Sequence, residues 1–278
     1  MSITPFRVPV VPSLKIRTYL SFYERGLRPD GRSLASPRTV EIKTGVIEKA
    51  EGSALVRLGN TEVLAGVKAE IGSPFKDTPD EGAIIVNVET VPIASPVSEP
   101  GPPDENAIEV SRVVDRSLRE PRAIDLKSLS IRTGEKAWIL WVDVYVLSHD
   151  GNIFDASMLA TVAALATTRL PFIEESETGD IILDRTRQGD RVNLNKLVVS
   201  VTVAKIADYL VVDPNFEEEI ISDYRLVVSL DKDQNIVGLQ KTGSGGLTQS
   251  ELVAAISLAK RASGEYFKAL ESALRGGG

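Results

Sequence analysis

Three arginines, Arg112, Arg116 and Arg119, recur at helical spacing within Gly101 to Glu120, GPPDENAIEVSRVVDRSLRE. At about a hundred degrees per residue they gather on one side, nearly opposite Ala107, Val110, Val114 and Leu118. Forked guanidinium groups clustered in this way suit phosphate anions. The competing reading is a solvated face, because Glu109 precedes Arg112 by three residues and Asp115 precedes Arg119 by four, ordinary surface-pair spacings. Spacing by itself favours the solvated face, although Arg116 has no acid three or four residues before it and only Glu120 after it.

Other chemistry is scarce. There is no cysteine, so disulfides and thiolate metal sites are excluded, and the single histidine, His149, cannot build a multi-histidine cluster or readily a Ser-His or Cys-His pair. His149 sits in SHDG, a turn signal, and is expected to be an exposed turn residue without a role. Asp143 interrupts an apolar stretch and is expected to be a hydrogen-bonded core acid, not a catalyst. Thr242 to Gly246, TGSGG, could bare amides to an anion ahead of the last helix, but a flexible connection is the commoner use of such a run. No residue is assigned as catalytic or metal-binding, and no cofactor is implied.

The elements that must position these groups follow from capping and period. Asp104 is a good N-cap, Glu105 suits the first helical turn, and Pro121 ends the helix near Glu120. Leu14 to Arg25 has helical spacing and closes at Gly26; RPDGR at Arg28 to Arg32 is a turn. Val40 to Ile47, two runs about Gly59-Asn60, and Ala83 to Ile93 predict strands of an antiparallel sheet. The polar loop from Ser73 to Gly82, SPFKDTPDEG, is long enough to suggest a partner or ligand contact. Ala137 to Leu147 is apolar on both faces, with Trp138 and Trp141 on opposite sides, which predicts a central strand covered above and below. Phe154 to Leu170 follows as a helix packed closely on it.

Glu174 to Asp190 is polar and aperiodic, the best candidate for a linker. Beyond it, Lys196 to Val212 and Tyr224 to Lys241 predict strands, and Thr248 with Glu251 announces a long amphipathic final helix. The net charge of -7 leaves room only for a focused polyanion site, and no apolar run is long enough to span a bilayer. No signal peptide is expected at the N-terminus, so the expected location is cytoplasmic.

Taken in order, LRPDGR, GSALVRLGNTEVLAGVKAEI, VNVE, EPGPPDENAIEVSRVVDRSLRE, WVDVYVLSHDGNIFDASMLATVAAL and YLVVDPNFEEE resemble the RNase PH family, most closely the catalytically silent ring subunits of the archaeal exosome. The resemblance implies an α+β fold of two βαβα-type halves with mixed sheets and packed helices. It also implies an extension over residues 1–27, an N-terminal domain over 28–172, a linker over 173–195 and a C-terminal domain over 196–278. Implied partners are a catalytic RNase PH-like paralogue in a hexameric ring (a trimer of heterodimers), RNA-binding cap proteins and single-stranded RNA, with no membrane.

Active members of the family degrade RNA from its 3′ end with phosphate, held by a Ser-Arg or Thr-Arg pair at the start of the helix after the central strand. Ala160 and Thr161 are expected at the pair's positions, without the hydroxyl of the first or the guanidinium of the second. Losing one oriented donor commonly lowers turnover by roughly two to three powers of ten, so this chain alone is expected to be silent. Asp213 and Asp223 fall near the family's acidic motif, and Asp223 matches an acid that assists catalysis in active members. The resemblance assigns Arg112, Arg116 and Arg119 to RNA phosphates beside a neighbour's active centre. The alternatives are a self-sufficient phosphorolytic exoribonuclease, with Arg122 or Arg132 replacing the missing guanidinium, and a purely architectural ring member.

Overall fold

The computed structural model describes residues 13–96, 98–175 and 181–276; the first twelve residues, and 176–180 inside the expected linker, lie outside it. Helix α1 (Ser13–Tyr23) opens the described chain. Strands β1 (Val40–Thr44), β2 (Gly52–Leu58) and β3 (Thr61–Gly72) pair antiparallel in sequence order, and Gly59 at φ +59° makes the expected β2–β3 turn, a conformation that favours glycine.

The sequence pattern predicts that the next strand, β4 (Ala83–Thr90), is also antiparallel. It instead runs parallel to the later strand β6 (Lys136–Ser148), with Ala83 opposite Ile139 and Thr90 opposite Val146. Helix α2 (Glu105–Arg119) lies between them in the chain and packs on β4; a helical crossover of this kind is what parallel neighbours require. The sheet order is β1-β2-β3-β6-β4, with the short β5 (Ser130–Arg132) paired to β6.

β6 is central, but it is covered on one face only. Trp138, Leu140, Val142, Val144 and Val146 are buried, whereas Ile139, Trp141 and Asp143 are half-buried and Tyr145 is exposed. The tryptophans do fall on opposite sides, as a period of two demands. Asp143, expected as a core acid, therefore lies on the open face, where Asn87 Nδ2 donates to it at 3.2 Å.

Helix α3 (Ile153–Thr167) is buried from Ile153 through Leu165 because it is shared by two sheets, touching β2 and β3 on one side and β9 (Val198–Ile206) on the other. A helix with neighbours all round needs no polar face. Between α3 and β9, strands β7 (Arg169–Glu175) and β8 (Ile181–Arg191) pair antiparallel. The described part of the stretch read as a linker is thus a β-ribbon, held by the Arg187–Glu174 pair at 2.7 Å and by Arg187 stacked 3.8 Å from the Phe172 ring centre.

The second sheet runs β10 (Tyr209–Val212), β9, β11 (Tyr224–Asp231), β12 (Ile236–Thr242), all antiparallel. The six-residue α4 (Phe216–Ile221), absent from the sequence expectation, precedes β11 and carries a full capping box between Asn215 and Glu218. Helix α5 (Gln249–Gly276) covers β9 and β11 and reaches β1; Thr248 and Glu251 bond reciprocally at its start, as their spacing predicts. The architecture is α+β, two strand-and-helix halves whose apolar residues form one continuous core through α3.

Candidate nucleic-acid interface

Helix α2 is fixed at both ends and on one side. Asp104 accepts from Ala107 N at 2.8 Å, while Ala107, Val110, Val113, Val114 and Leu118 are buried beneath it. Arg112, Arg116 and Arg119 all stand exposed on the other side. The surface-pair expectation holds for one of them: Asp115 accepts from Arg119 at 2.7 Å, and Arg119 also donates to Ile84 O at 3.2 Å. It fails for Arg112, because Gln240 of β12 draws Glu109 away, its Nε2 donating to Glu109 at 2.8 Å. The same amide's oxygen accepts from Arg116 at 3.2 Å. Gln240 thus satisfies Glu109 without neutralising a guanidinium, and among the described residues neither Arg112 nor Arg116 has a carboxylate partner. Two open guanidinium groups one turn apart on a rigid helix can grip successive phosphates of a chain without reading its bases.

The start of α3 is the opposite case. The helix begins at Ile153, so Ala160 and Thr161 lie in its buried middle and not at its mouth, where they were expected. The positions at the mouth are Ile153 and Phe154, both apolar and buried. A hydroxyl and a guanidinium are absent there too. The polar groups around the helix start are the chain's own acids and the arginines paired with them: Arg38 donates to the Asp150 and Gly151 carbonyls at 2.8 and 3.3 Å, and Arg225, held by Glu219, stands 6.0 Å from the Phe154 ring centre. Asn152, at φ +56°, donates from Nδ2 to Asp213 at 2.6 Å and to Asp155 at 2.7 Å, and its backbone N donates to Glu219 at 3.0 Å. Asp155 also accepts from Thr202 N at 3.0 Å, Thr202 Oγ1 at 2.7 Å and the Tyr266 hydroxyl at 3.1 Å. Acids at this end complement the helix dipole and oppose a phosphate.

Asp213 is wholly buried and fully engaged. Arg38 donates to both its oxygens, from Nη2 at 2.7 Å and Nε at 2.9 Å, and Arg32 adds a bond at 3.2 Å. Burial pushes the Asp213 carboxyl up, but the Arg38 and Arg32 guanidinium groups and Asn152 outweigh it and hold the group below its ordinary range. Burial, aided by the nearby Asp213 charge, pushes Asp155 up to about 7 against the donors that surround it. Beside them, buried Arg28 pairs with Glu218 and donates to the carbonyls of Val212 and Asp213 at 2.6 and 2.9 Å. The LRPDGR motif, read from sequence as a turn, is therefore also one half of a buried ion network that joins the two halves of the chain.

Asp223 is exposed, and its main chain takes the structural part: its carbonyl accepts from Gly245 N at 2.9 Å. A Cβ on Gly245 would stand 2.7 Å from that oxygen, so TGSGG serves a close backbone approach. His149 is half-buried, not exposed; its ring meets Phe216 edge-on at 5.1 Å, Nδ1 accepts from Gly151 N at 3.1 Å, and burial pushes its pKa down. Of the two substitutes considered for the lost guanidinium, Arg132 pairs with Glu135 at 3.2 Å and Arg122 lies in the turn after α2. Neither is found among the described bonds that surround the α3 start.

Among the described residues no helix is long and apolar enough to cross a membrane. Residues 36–171 match domain 1 of the 3′ exoribonuclease family RNase PH, and residues 196–262 match its domain 2. The exosome complex component Rrp42 of Aeropyrum pernix is 60% identical over 99% of this chain and 100% of its own length. That of Sulfurisphaera tokodaii is 49% identical over 98% of each. In the solved Archaeoglobus fulgidus exosome with RNA bound to the active site, one chain superposes with a TM-score of 0.83 at 44% identity, covering 92% of this chain and 97% of that one. With both domains matched in order and the fold in common, the chain belongs to the RNase PH family of 3′ exoribonucleases, alongside the archaeal exosome components Rrp42.

Proposed function

We propose that this chain is a non-catalytic ring subunit of an archaeal exosome, which binds RNA and completes the active site of a catalytic RNase PH-like partner. One contrast carries the reading: Arg112 and Arg116 stand open on α2, while Ile153, Phe154 and three of the chain's own acids occupy the α3 start. The chain can hold a polyanion, but where the family holds its attacking phosphate the first-turn positions are apolar, and the nearby guanidinium groups of Arg38 and Arg225 are already engaged by Asp213 and Glu219. Bond cleavage then falls to the partner, and Arg112, Arg116 and Arg119 position the strand by its phosphates.

The assembly that fits this role is a cytoplasmic hexameric ring, a trimer of heterodimers with RNA-binding cap proteins and single-stranded RNA as substrate. Purified chain incubated with single-stranded RNA and inorganic phosphate should release no nucleoside diphosphates. Release should begin on adding an RNase PH-like partner that bears the Ser-Arg or Thr-Arg pair. Nucleoside diphosphates from the chain alone would overturn the proposal in favour of a self-sufficient enzyme.

A further inference from the structure

The loop 73–82 is long for its place between β3 and β4. It borders a cavity of about 340 Å³ beside the last turn of α2, within the roughly 300–1,000 Å³ range of small-ligand sites. Phe75 from the loop lines it at 57% exposure, together with Arg119, Arg122, Lys127, Ile84 and Asn195. Arg119 thus belongs both to the arginine face and to the cavity. Its fork is held by Asp115 and the Ile84 carbonyl, which leaves donors over on a pre-oriented group. Arg122 has no ion pair among the described residues and sits at φ +51°, where glycine or asparagine would make the same turn with less strain. Asn195 Nδ2 secures that turn by donating to the Arg122 carbonyl at 3.1 Å.

The charge balance narrows the ligand. Three cations are offset by Asp77, Glu81 and Asp125 on the same lining, so the cavity is unsuited to a polyphosphate. A cavity lined by an exposed aromatic ring and two guanidinium groups suits a flat base carrying a single phosphate. We propose that this cavity is a nucleotide subsite on the RNA path, in which one base stacks on Phe75 and its phosphate meets Arg119 and Arg122. The inference rests on the RNA-binding reading of α2 and extends it beyond phosphate contact. Stacking tolerates any base, as a sequence-independent track requires.

The test is the affinity of the assembled complex for a fluorescent oligouridine, measured for Phe75→Ala, Phe75→Trp, Arg122→Gly and the double variant Arg112→Glu/Arg116→Glu. Phe75→Ala should weaken binding about tenfold, and Phe75→Trp should restore it. Arg122→Gly should weaken it several-fold while the melting temperature holds or rises, because glycine relieves the turn. Wild-type affinity in both Phe75→Ala and Arg122→Gly would overturn the subsite. If the double variant on α2 still bound weakly in that case, the subsite alone would fall; if it too bound normally, the RNA-binding reading would fall with it.

Discussion

Arg112 and Arg38 are chemically alike and separated in purpose by what each faces. Arg38 is sealed against Asp213, and removing one partner of such a pair strands a charge in the interior. Arg38→Ala should therefore destabilise the fold by about 3–5 kcal/mol, measured by chemical denaturation, whereas Arg112→Ala should leave stability unchanged within about 0.5 kcal/mol. The two residues should differ the other way in binding. Each phosphate contact to a single strand contributes about 0.7 to the slope of log affinity against log salt. Replacing Arg112 and Arg116 together should lower that slope by about 1.4, equally for homopolymers of different base. The charge of Arg38 was legible as a residue type, but not its burial, because Asp213 lies 175 residues away in sequence.

At the scale of elements, legibility followed the signals each element carries in itself. Helices α2 and α5 were readable because caps and apolar period agree, and the β2–β3 hairpin because its turn needs φ > 0 at Gly59. The β7–β8 ribbon was read as a linker because β8 is largely exposed and shows no alternation; its stability comes from cross-strand and tertiary pairs such as Arg187–Glu174 and Arg185–Glu51. The placement of the phosphate-holding pair on Ala160 and Thr161 failed although the helix itself was legible: Asn152 caps it by accepting from Asp155 N, which puts Ile153 and Phe154 in the first turn and Ala160 and Thr161 two turns further in. TGSGG, expected as an anion-facing amide run or a flexible connection, instead makes a close backbone approach to Asp223. Gly245→Ala should lower the melting temperature, because its Cβ would meet the Asp223 carbonyl at 2.7 Å and that backbone must shift. The same change at Gly246, where a Cβ meets open space, should not.

The whole molecule carries a net charge of -7, so RNA affinity has to be local, and a helix face on which two guanidinium groups have no carboxylate partner among the described residues supplies that locality. The buried network also sets a pH dependence. The Asp155 carboxyl rises from its ordinary 3.8 to about 7, so the folded chain holds a proton that the unfolded chain has released between those values. Its contribution to stability is present below the lower value and is lost as pH rises through the upper one. Denaturation midpoints should fall between about pH 5 and pH 7, and Asp155→Asn should flatten that slope. Asp213 acts in the other direction: held below its ordinary range, it contributes stability above that range and loses it on acidification. The division of labour between a chain that grips and a partner that cuts is tested most directly by degradation of single-stranded RNA in the reconstituted complex, with Arg112→Glu/Arg116→Glu in this chain and the catalytic partner unchanged. The division predicts an intact assembly by light scattering with degradation slowed at least about tenfold, for two charge reversals at phosphate contacts; degradation at the wild-type rate in that intact assembly would contradict it.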